Sequence, residues 1–309
     1  MRANSVQEVN VVTGAFGYSG KYITQRLLSM GKLVRTLTGH PNRESPFGVK
    51  VDAFPFNFDR PSELVRSLQG VTTLYNTYWV RFTHASTTFD EAVENTQKLI
   101  RAAQEAGVQR FVHVSITHPH VNSPLPYFKG KGILEQALMN SKMSYAIVRP
   151  TVIFGKEDIL INNIAWLLRR FPVFVVPGAG DYRLQPVSAE DLAEIAVTAG
   201  QAKSNQIIDA VGPEIFTFDT LVRLIAEKIR SRAWIIHLSP KIALFLSQFI
   251  SKFVNDVILT REEIDGLMSN LLISDGPPTS RMRLSDWLTE NAATVGAKYA
   301  SELARHYRS

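Results

Sequence analysis

Tyr127 and Lys131 stand four residues apart in the stretch PYFKGK (126 to 131), so a helix there puts both on one face. A phenol ionises near pH 10 and does acid/base work at neutral pH only if something stabilises its phenolate; a nearby ammonium does so. Ser115, twelve residues before Tyr127 in VHVSI, adds a hydroxyl able to hold a substrate oxygen. The spacing alone is a weak signal, since a tyrosine-lysine pair at this offset arises by chance in roughly half of chains of ordinary composition. What surrounds the pair decides its meaning.

Upstream, TGAFGYSG places Gly14, Gly17 and Gly20 between a β-branched run, VNVVTG, and a segment of helical periodicity, SGKYITQRLLSMGK (Ile23, Leu27, Met30). In that context Gly14 makes the tight turn, Gly17 lets backbone approach a pyrophosphate, and Gly20 permits close packing of helix on strand; the phosphates then face a positive helix N-terminus. Phe16 and Tyr18, in the same loop, are counted with the cofactor contacts. The second strand, LVRTLTG (33 to 39), runs into HPNR with no carboxylate before Glu44. A site reading the free ribose of NAD(H) wants an acid there. Thr38, His40 and Arg43 suit a 2′-phosphate instead, so NADP(H) is favoured over NAD(H). Lys131 then gains a second task, binding the nicotinamide ribose hydroxyls.

These residues need a scaffold, and the chain alternates strand-like and helix-like segments. FDRPSELVRSLQG carries Asp59 as an expected N-cap, Pro61 in the first turn and Gly70 as terminator. VTTLYNTYW is strand-like, residues 89 to 107 form a long helix closed by Gly107, and RFVHVSI (110 to 116) is a strand. A helix over FKGKGILEQALMNS, the strand YAIVRPTVIFG, LQPVS and the helix AEDLAEIAVTAG follow. The pattern predicts an α/β fold: a Rossmann-type doubly wound parallel sheet, with Ser115 at the carboxyl end of a central strand where such sheets bind ligands. Residues 1–200 form the NAD(P)-binding domain, with 156–182 contributing to a substrate lid. Residues 201–309 form a smaller, mostly helical substrate region, in which Thr260 and Glu263 make a capping box.

Composition narrows the class. The 309 residues are 45% hydrophobic and 20% charged, as in an ordinary globular protein. The formal charge of +6 is spread without a basic stripe, which argues against nucleic-acid binding. Absence of cysteine removes disulfides, thiol nucleophiles and thiolate metal sites, and fits a cytoplasmic protein. The N-terminus MRANSVQEVN lacks the apolar core of a signal peptide. IALFLSQFISKFV (242 to 254) is too short to span a bilayer. Its spacing suits an amphipathic helix packed on the protein itself, with a peripheral membrane contact as the alternative.

The ordered set of motifs resembles the short-chain dehydrogenase/reductase superfamily. TGAFGYSG, AAQEAGVQRFVHVSI, PYFKGKGILEQAL, YAIVRPTVIFG and PVSAEDLAEI resemble its atypical and extended branches: the NAD-dependent epimerase/dehydratases, the NmrA-like proteins and the nucleotide-carrying accessory subunit of respiratory complex I. The resemblance spans residues 9 to about 200. It implies Ser115, Tyr127 and Lys131 as the catalytic trio, and it matches Asn57 and Phe58 to the adenine-contacting position, where the family more often has Asp for Asn57. It also puts Asn76 and Thr77 where the fourth strand lines the cofactor, and Pro150 and Thr151 beside the nicotinamide carboxamide. Asn95 falls where relatives place a structural or proton-relay asparagine, and Asn162 or Asn163 where extended relatives contact a nucleotide-sugar, with capping or bridging of backbone as the equal alternative.

Trp79 can line a substrate pocket or pack in a core, and Arg183 can bind an anionic substrate. His113, His118 and His120 lack a well-spaced carboxylate, so no metal is expected, and His113 is read as packed behind the site. The expected function is an NAD(P)-dependent oxidoreductase or epimerase/dehydratase acting on a small-molecule substrate at an oxygen-bearing carbon. The rival is a non-catalytic NADP(H)-binding sensor or assembly scaffold. No nucleic acid and no integral membrane span are expected, and a homo-oligomer stays open.

Overall fold

The computed structural model describes residues 8–81, 83, 87–254, 256 and 260–301, with side chains at 249, 250 and 252–254 also outside the described set. The polar N-terminal residues 1–7 therefore lie outside it.

The chain begins with β1 (Val9–Thr13), α1 (Tyr18–Ser29), β2 (Leu33–Thr38) and β3 (Val51–Pro55). It continues through α2 (Pro61–Leu68), β4 (Val71–Asn76), α3 (Phe89–Glu105), β5 (Arg110–Val114), α4 (Pro126–Met139) and β6 (Ser144–Pro150). Next come β7 (Ile153–Phe154), α5 (Leu160–Arg170), β8 (Val173–Pro177), β9 (Arg183–Leu184), β10 (Val187–Ser188) and α6 (Ala189–Gln201). The last elements are β11 (Gln206–Ala210), β12 (Phe216–Thr217), α7 (Phe218–Lys228), β13 (Trp234–Leu238), α8 (Pro240–Val254), α9 (Arg261–Met268) and α10 (Leu284–Glu290).

Seven strands form the main sheet in the order β11-β6-β5-β4-β1-β2-β3, and the pairs from β6 through β3 run parallel. The order reverses between β1 and β4, so the carboxyl ends of those two strands border the crevice where doubly wound sheets hold ligands. β-branched and apolar residues make the central strands because they are covered on both faces: Val11, Val12, Leu74, Phe111 and Val112 are fully buried. On one face, Leu64 and Leu68 of α2, Leu99 of α3 and Leu138 of α4 close over Phe111 and Leu74. Thr88 starts α3 by accepting the Glu91 amide, whereas α2 has no side-chain cap, so the expected Asp59 cap is not made.

Two compact units result: Met1–Arg149 with Leu192–Ile208, and Pro150–Asp191 with Asp209–Ser309. The chain thus crosses between units three times, not once near residue 200. β3, β8, β11 and β13 are strands that the sequence pattern missed; β11 joins the main sheet and β13 pairs in parallel with β8. Their short runs alternate only partly between buried and exposed positions, which weakens the period-two signal.

In the second unit, α5, α7 and α10 bury Ile161, Ile164, Leu168, Leu221, Ile225, Trp287 and Leu288 around Phe154. Asp158 starts α5: its carboxylate accepts the amides of Ile161 at 2.7 Å and Asn162 at 3.4 Å. The Thr260–Glu263 capping box forms as expected. Along α8, Ala243 is buried while Ile242, Phe245 (69% exposed) and Leu246 face outward, so the helix does not bury its whole apolar side on its own unit. Among the described residues, no helix is long and apolar enough to cross a membrane.

Candidate active site

At the mouth of the sheet, the backbone turns out of β1 at Gly14, whose φ of +63° is the left-handed region that favours glycine. A Cβ on Gly20 would press on the Gly14 carbonyl, 2.8 Å from its carbon, and one on Gly17 would lie 3.2 Å from that carbonyl oxygen. α1 begins at Tyr18 with no capping side chain and no acid in its first turn. A helix N-terminus left bare in this way, approached by glycine backbone, fits a pyrophosphate.

Behind the loop, Thr13 ties β1 to β4. Its hydroxyl donates to Asn76 Oδ1 at 3.0 Å and accepts the amides of Thr77 at 2.8 Å and Tyr78 at 3.0 Å. Thr77 returns its own hydroxyl to the Thr13 carbonyl at 2.6 Å. Sequence reasoning missed Thr13 because a β-branched residue at a strand end reads as ordinary strand.

This network sets the state of His113. Asn76 Oδ1 also accepts the Tyr78 amide at 3.2 Å, so the Asn76 amide group is turned, Nδ2 outward, to meet His113 Nδ1 at 3.1 Å. A donor facing Nδ1 makes that nitrogen an acceptor and leaves the proton on Nε2. Burial, and then the positive charge of Lys131, hold the imidazole pKa well below its usual range. His113 is therefore neutral, and its Nε2–H has no partner among the described residues. Two residues on, on the same strand face, the buried Ser115 hydroxyl also has none.

Lys131 reaches the same strand end. Its Nζ donates to the Val114 carbonyl at 2.8 Å, one residue before Ser115, and lies 4.4 Å from the centre of the Trp79 ring. The side chain is 2% exposed. Burial pushes the ammonium down to about 7, against the opposing charge of Glu135 one turn along α4. Glu135 is itself held by Arg149, with Nε 2.9 Å from Oε1. Tyr127 lies in the first turn of α4, and its ring packs on Trp79, Phe89 and Phe128. Lys131 thus bonds the backbone one residue before Ser115, and Tyr127 shares the Trp79 ring with it. Two glycines, unusual inside a helix, allow this: a Cβ on Gly130 would meet Trp79, and one on Gly132 the backbone of His120 and Val121.

The other expected residues are placed as follows. Asn57 takes φ +50°, tolerable for asparagine, and accepts the Arg60 guanidinium at 2.7 Å. Phe58 stacks on Phe56 and tilts against Tyr78. Asn95 donates to the Tyr78 hydroxyl. Thr38 turns its oxygen back to the His40 amide at 3.2 Å, and His40 and Arg43 are exposed beyond it. Phe16 lies half-buried in the glycine loop.

In the second unit, Pro150 closes β6 and Thr151 donates to the Gln185 carbonyl. Asn162 and Asn163 take the bridging role that was the alternative to substrate contact. Asn162 is spent on Gly155, Asp158 and Gly296, and Asn163 on both backbone groups of Ala300. Arg183 is exposed on β9. Among the described residues no three histidine or acidic side chains group as metal ligands.

Comparison with known proteins finds similarities of sequence and fold. A model of the NAD(P)H-binding family matches residues 14–163. The Arabidopsis thaliana protein named NADH dehydrogenase [ubiquinone] 1 alpha subcomplex subunit 9, mitochondrial, is 25% identical over 86% of this chain and 71% of its own length. The Neurospora crassa NADH-ubiquinone oxidoreductase 40 kDa subunit is 22% identical over 82% and 69%. An Escherichia coli NADPH-dependent quinone oxidoreductase solved with NADPH superposes with a TM-score of 0.73 at 18% identity, covering 91% of this chain and 99% of that one. The protein MoeE5, solved with UDP-glucose and NAD, gives a TM-score of 0.67 at 19% identity, covering 93% and 97%. The NAD(P)H-binding family model thus matches just under half of the chain, residues 14–163, and the two solved structures share its Rossmann-type fold.

Proposed function

We propose that this protein is an NAD(P)-dependent oxidoreductase or epimerase of short-chain dehydrogenase type, acting on a carbonyl or carbinol carbon. One observation carries the reading: among the described residues, a buried lysine with no carboxylate ion pair bonds the strand-end carbonyl of Val114, one residue before a buried serine whose hydroxyl has no partner. Unpaired buried polar groups cost stability, and folds keep them where a ligand will satisfy them.

Gly14, Gly17, Gly20 and the first turn of α1 would hold the dinucleotide pyrophosphate, and Thr38, His40 and Arg43 would favour a 2′-phosphate, hence NADP(H). The bound nicotinamide would supply or accept the hydride. Within the protein, Ser115 orients the substrate oxygen, Tyr127 gives or takes its proton, and the Lys131 ammonium stabilises the phenolate. Neutral His113 offers a fixed donor behind Ser115.

The test is turnover of NADPH and NADH with quinones, simple carbonyls and sugar nucleotides, in wild type, Tyr127→Phe and Ser115→Ala. Turnover that falls at least a hundredfold in both variants, with cofactor affinity kept, is the expected result. Tight NADPH binding without turnover of any compound sinks the catalytic reading. It would favour the second one, an assembly role in a larger complex, which draws its support from relatives named as subunits of NADH dehydrogenase [ubiquinone] and of NADH-ubiquinone oxidoreductase.

A further inference from the structure

Trp79 meets both members of the Tyr127–Lys131 pair. The Lys131 Nζ lies 4.4 Å from the centre of its ring, and the Tyr127 ring meets it edge-on, 5.6 Å between centroids at 80°. Phe89, the first residue of α3, stacks against the indole at 5.9 Å and 29°, which fixes its plane. From α4 the approach depends on Gly130: a Cβ there would stand 2.7 Å from Cη2 and 3.3 Å from Cζ2 of the indole. Glycine inside a helix costs helix stability, so α4 is weakened at the one turn where the ring must enter, between Tyr127 and Lys131.

Packing alone would place an apolar group over the indole face. Here the group is an ammonium, and the electron-rich face attracts it most strongly where water is excluded. We infer that Trp79 is a positioning residue, which seats the Lys131 ammonium on its face and sets the Tyr127 ring with its edge contact, so that phenol and ammonium keep the register proton transfer needs. The inference deepens the catalytic reading and rests on it for the proton-transfer role; the seating of the cation does not. Other groups bear on the ammonium: Glu135 on α4, paired with Arg149 of β6; neutral His113 of β5; and Tyr127 one turn before it. From α3, Asn95 faces the Tyr78 hydroxyl.

Two measurements decide it. The chain has four tryptophans, so the emission of Trp79 is taken as the difference between wild type and Trp79→Phe, followed against pH without cofactor. A transition near pH 7 that disappears in Lys131→Met is expected, because removing the proton removes the charge over the ring. No Lys131-dependent transition overturns the seating. In turnover, Trp79→Leu is expected to lower kcat about tenfold or more, leave the KM for NADPH within about twofold, and move the lysine limb of the kcat profile to lower pH by about one unit. Trp79→Phe, with a weaker ring face, should fall between, and Gly130→Ala, which displaces the ring from the other side, should move the profile in the same direction. An unshifted profile, or equal losses in kcat and KM, reduces Trp79 to packing and overturns the proposal. If the wild type turns over no compound, the proton-transfer role is overturned with the catalytic reading, and the emission titration alone then decides whether the cation is seated on the ring.

Discussion

At Lys131, burial and the proposed catalytic role pull against each other in a way that stability measurements can read. Its folded value, about 7, lies below the ordinary 10.5, so between those values the unfolded chain binds more protons than the folded one. Stability then rises with pH across that window, and the full penalty for a buried charge is present below pH 7. Lys131→Met removes the penalty. It should be more stable than wild type below pH 7, by roughly 2–5 kcal/mol, with the gap closing between pH 7 and 10.5 in parallel urea titrations. Curves that stay parallel across that range would show the lysine is not buried as described. The same variant should lose turnover, so stability and activity would move in opposite directions, as they do where a site is held at the fold's expense.

At the scale of elements, the junction of β1 with α1 and β4 separates binding from folding. Gly20→Ala drives a methyl into the Gly14 carbonyl, and a backbone obstacle cannot swing aside. A loss of about 3 kcal/mol or more is expected, with NADPH binding lost alongside. Gly17→Ala meets only a 3.2 Å approach at a residue with φ −84°, so its Tm should stay within a few degrees while NADPH affinity falls. Thermal melts with and without NADPH distinguish the two variants, and equal melting losses would contradict the assignment. Thr13→Val is nearly isosteric but strips the acceptor from the Thr77 amide and one acceptor from the Tyr78 amide. A cost of about 1–3 kcal/mol follows, visible as a lower urea midpoint with unchanged slope. The glycine spacing and the strand ahead of it were legible in the sequence, because turns and caps follow local rules. β3, β11 and β13 were not, since short, partly exposed strands take their stability from the neighbours they pair with.

For the whole molecule, the proposed preference for NADP(H), argued from the missing acid after β2, is measurable. NADPH at a hundred times its Kd should add about 2.7 kcal/mol of stability and raise Tm by several degrees. NADH should bind about tenfold more weakly, and Arg43→Ala should narrow that difference by removing a phosphate partner. Equal shifts by the two cofactors in the wild type would refute the preference for the 2′-phosphate. α8 poses a second question at this scale, since Ile242, Phe245 and Leu246 stay exposed where the sequence pattern predicts packing. Amphipathic spacing tells that a helix has an apolar side; it says nothing of how much of that side its own unit covers.

By itself the sequence determined the alternation of strand and helix, the glycine cradle at the first strand end, and which side chains have the chemistry for proton transfer. Each of these is written in neighbours a few residues apart. Tertiary structure alone decided that Lys131 loses its solvent, that one indole touches both it and Tyr127, and that Asn162 and Asn163 bond backbone and Asp158. It alone decided the tautomer of His113, through bonds that join Thr13 to Asn76 and Asn76 to His113 across 63 and 37 residues of chain. Ionisation and hydrogen-bond direction depend on what the fold carries in from such distances, and no local pattern records it.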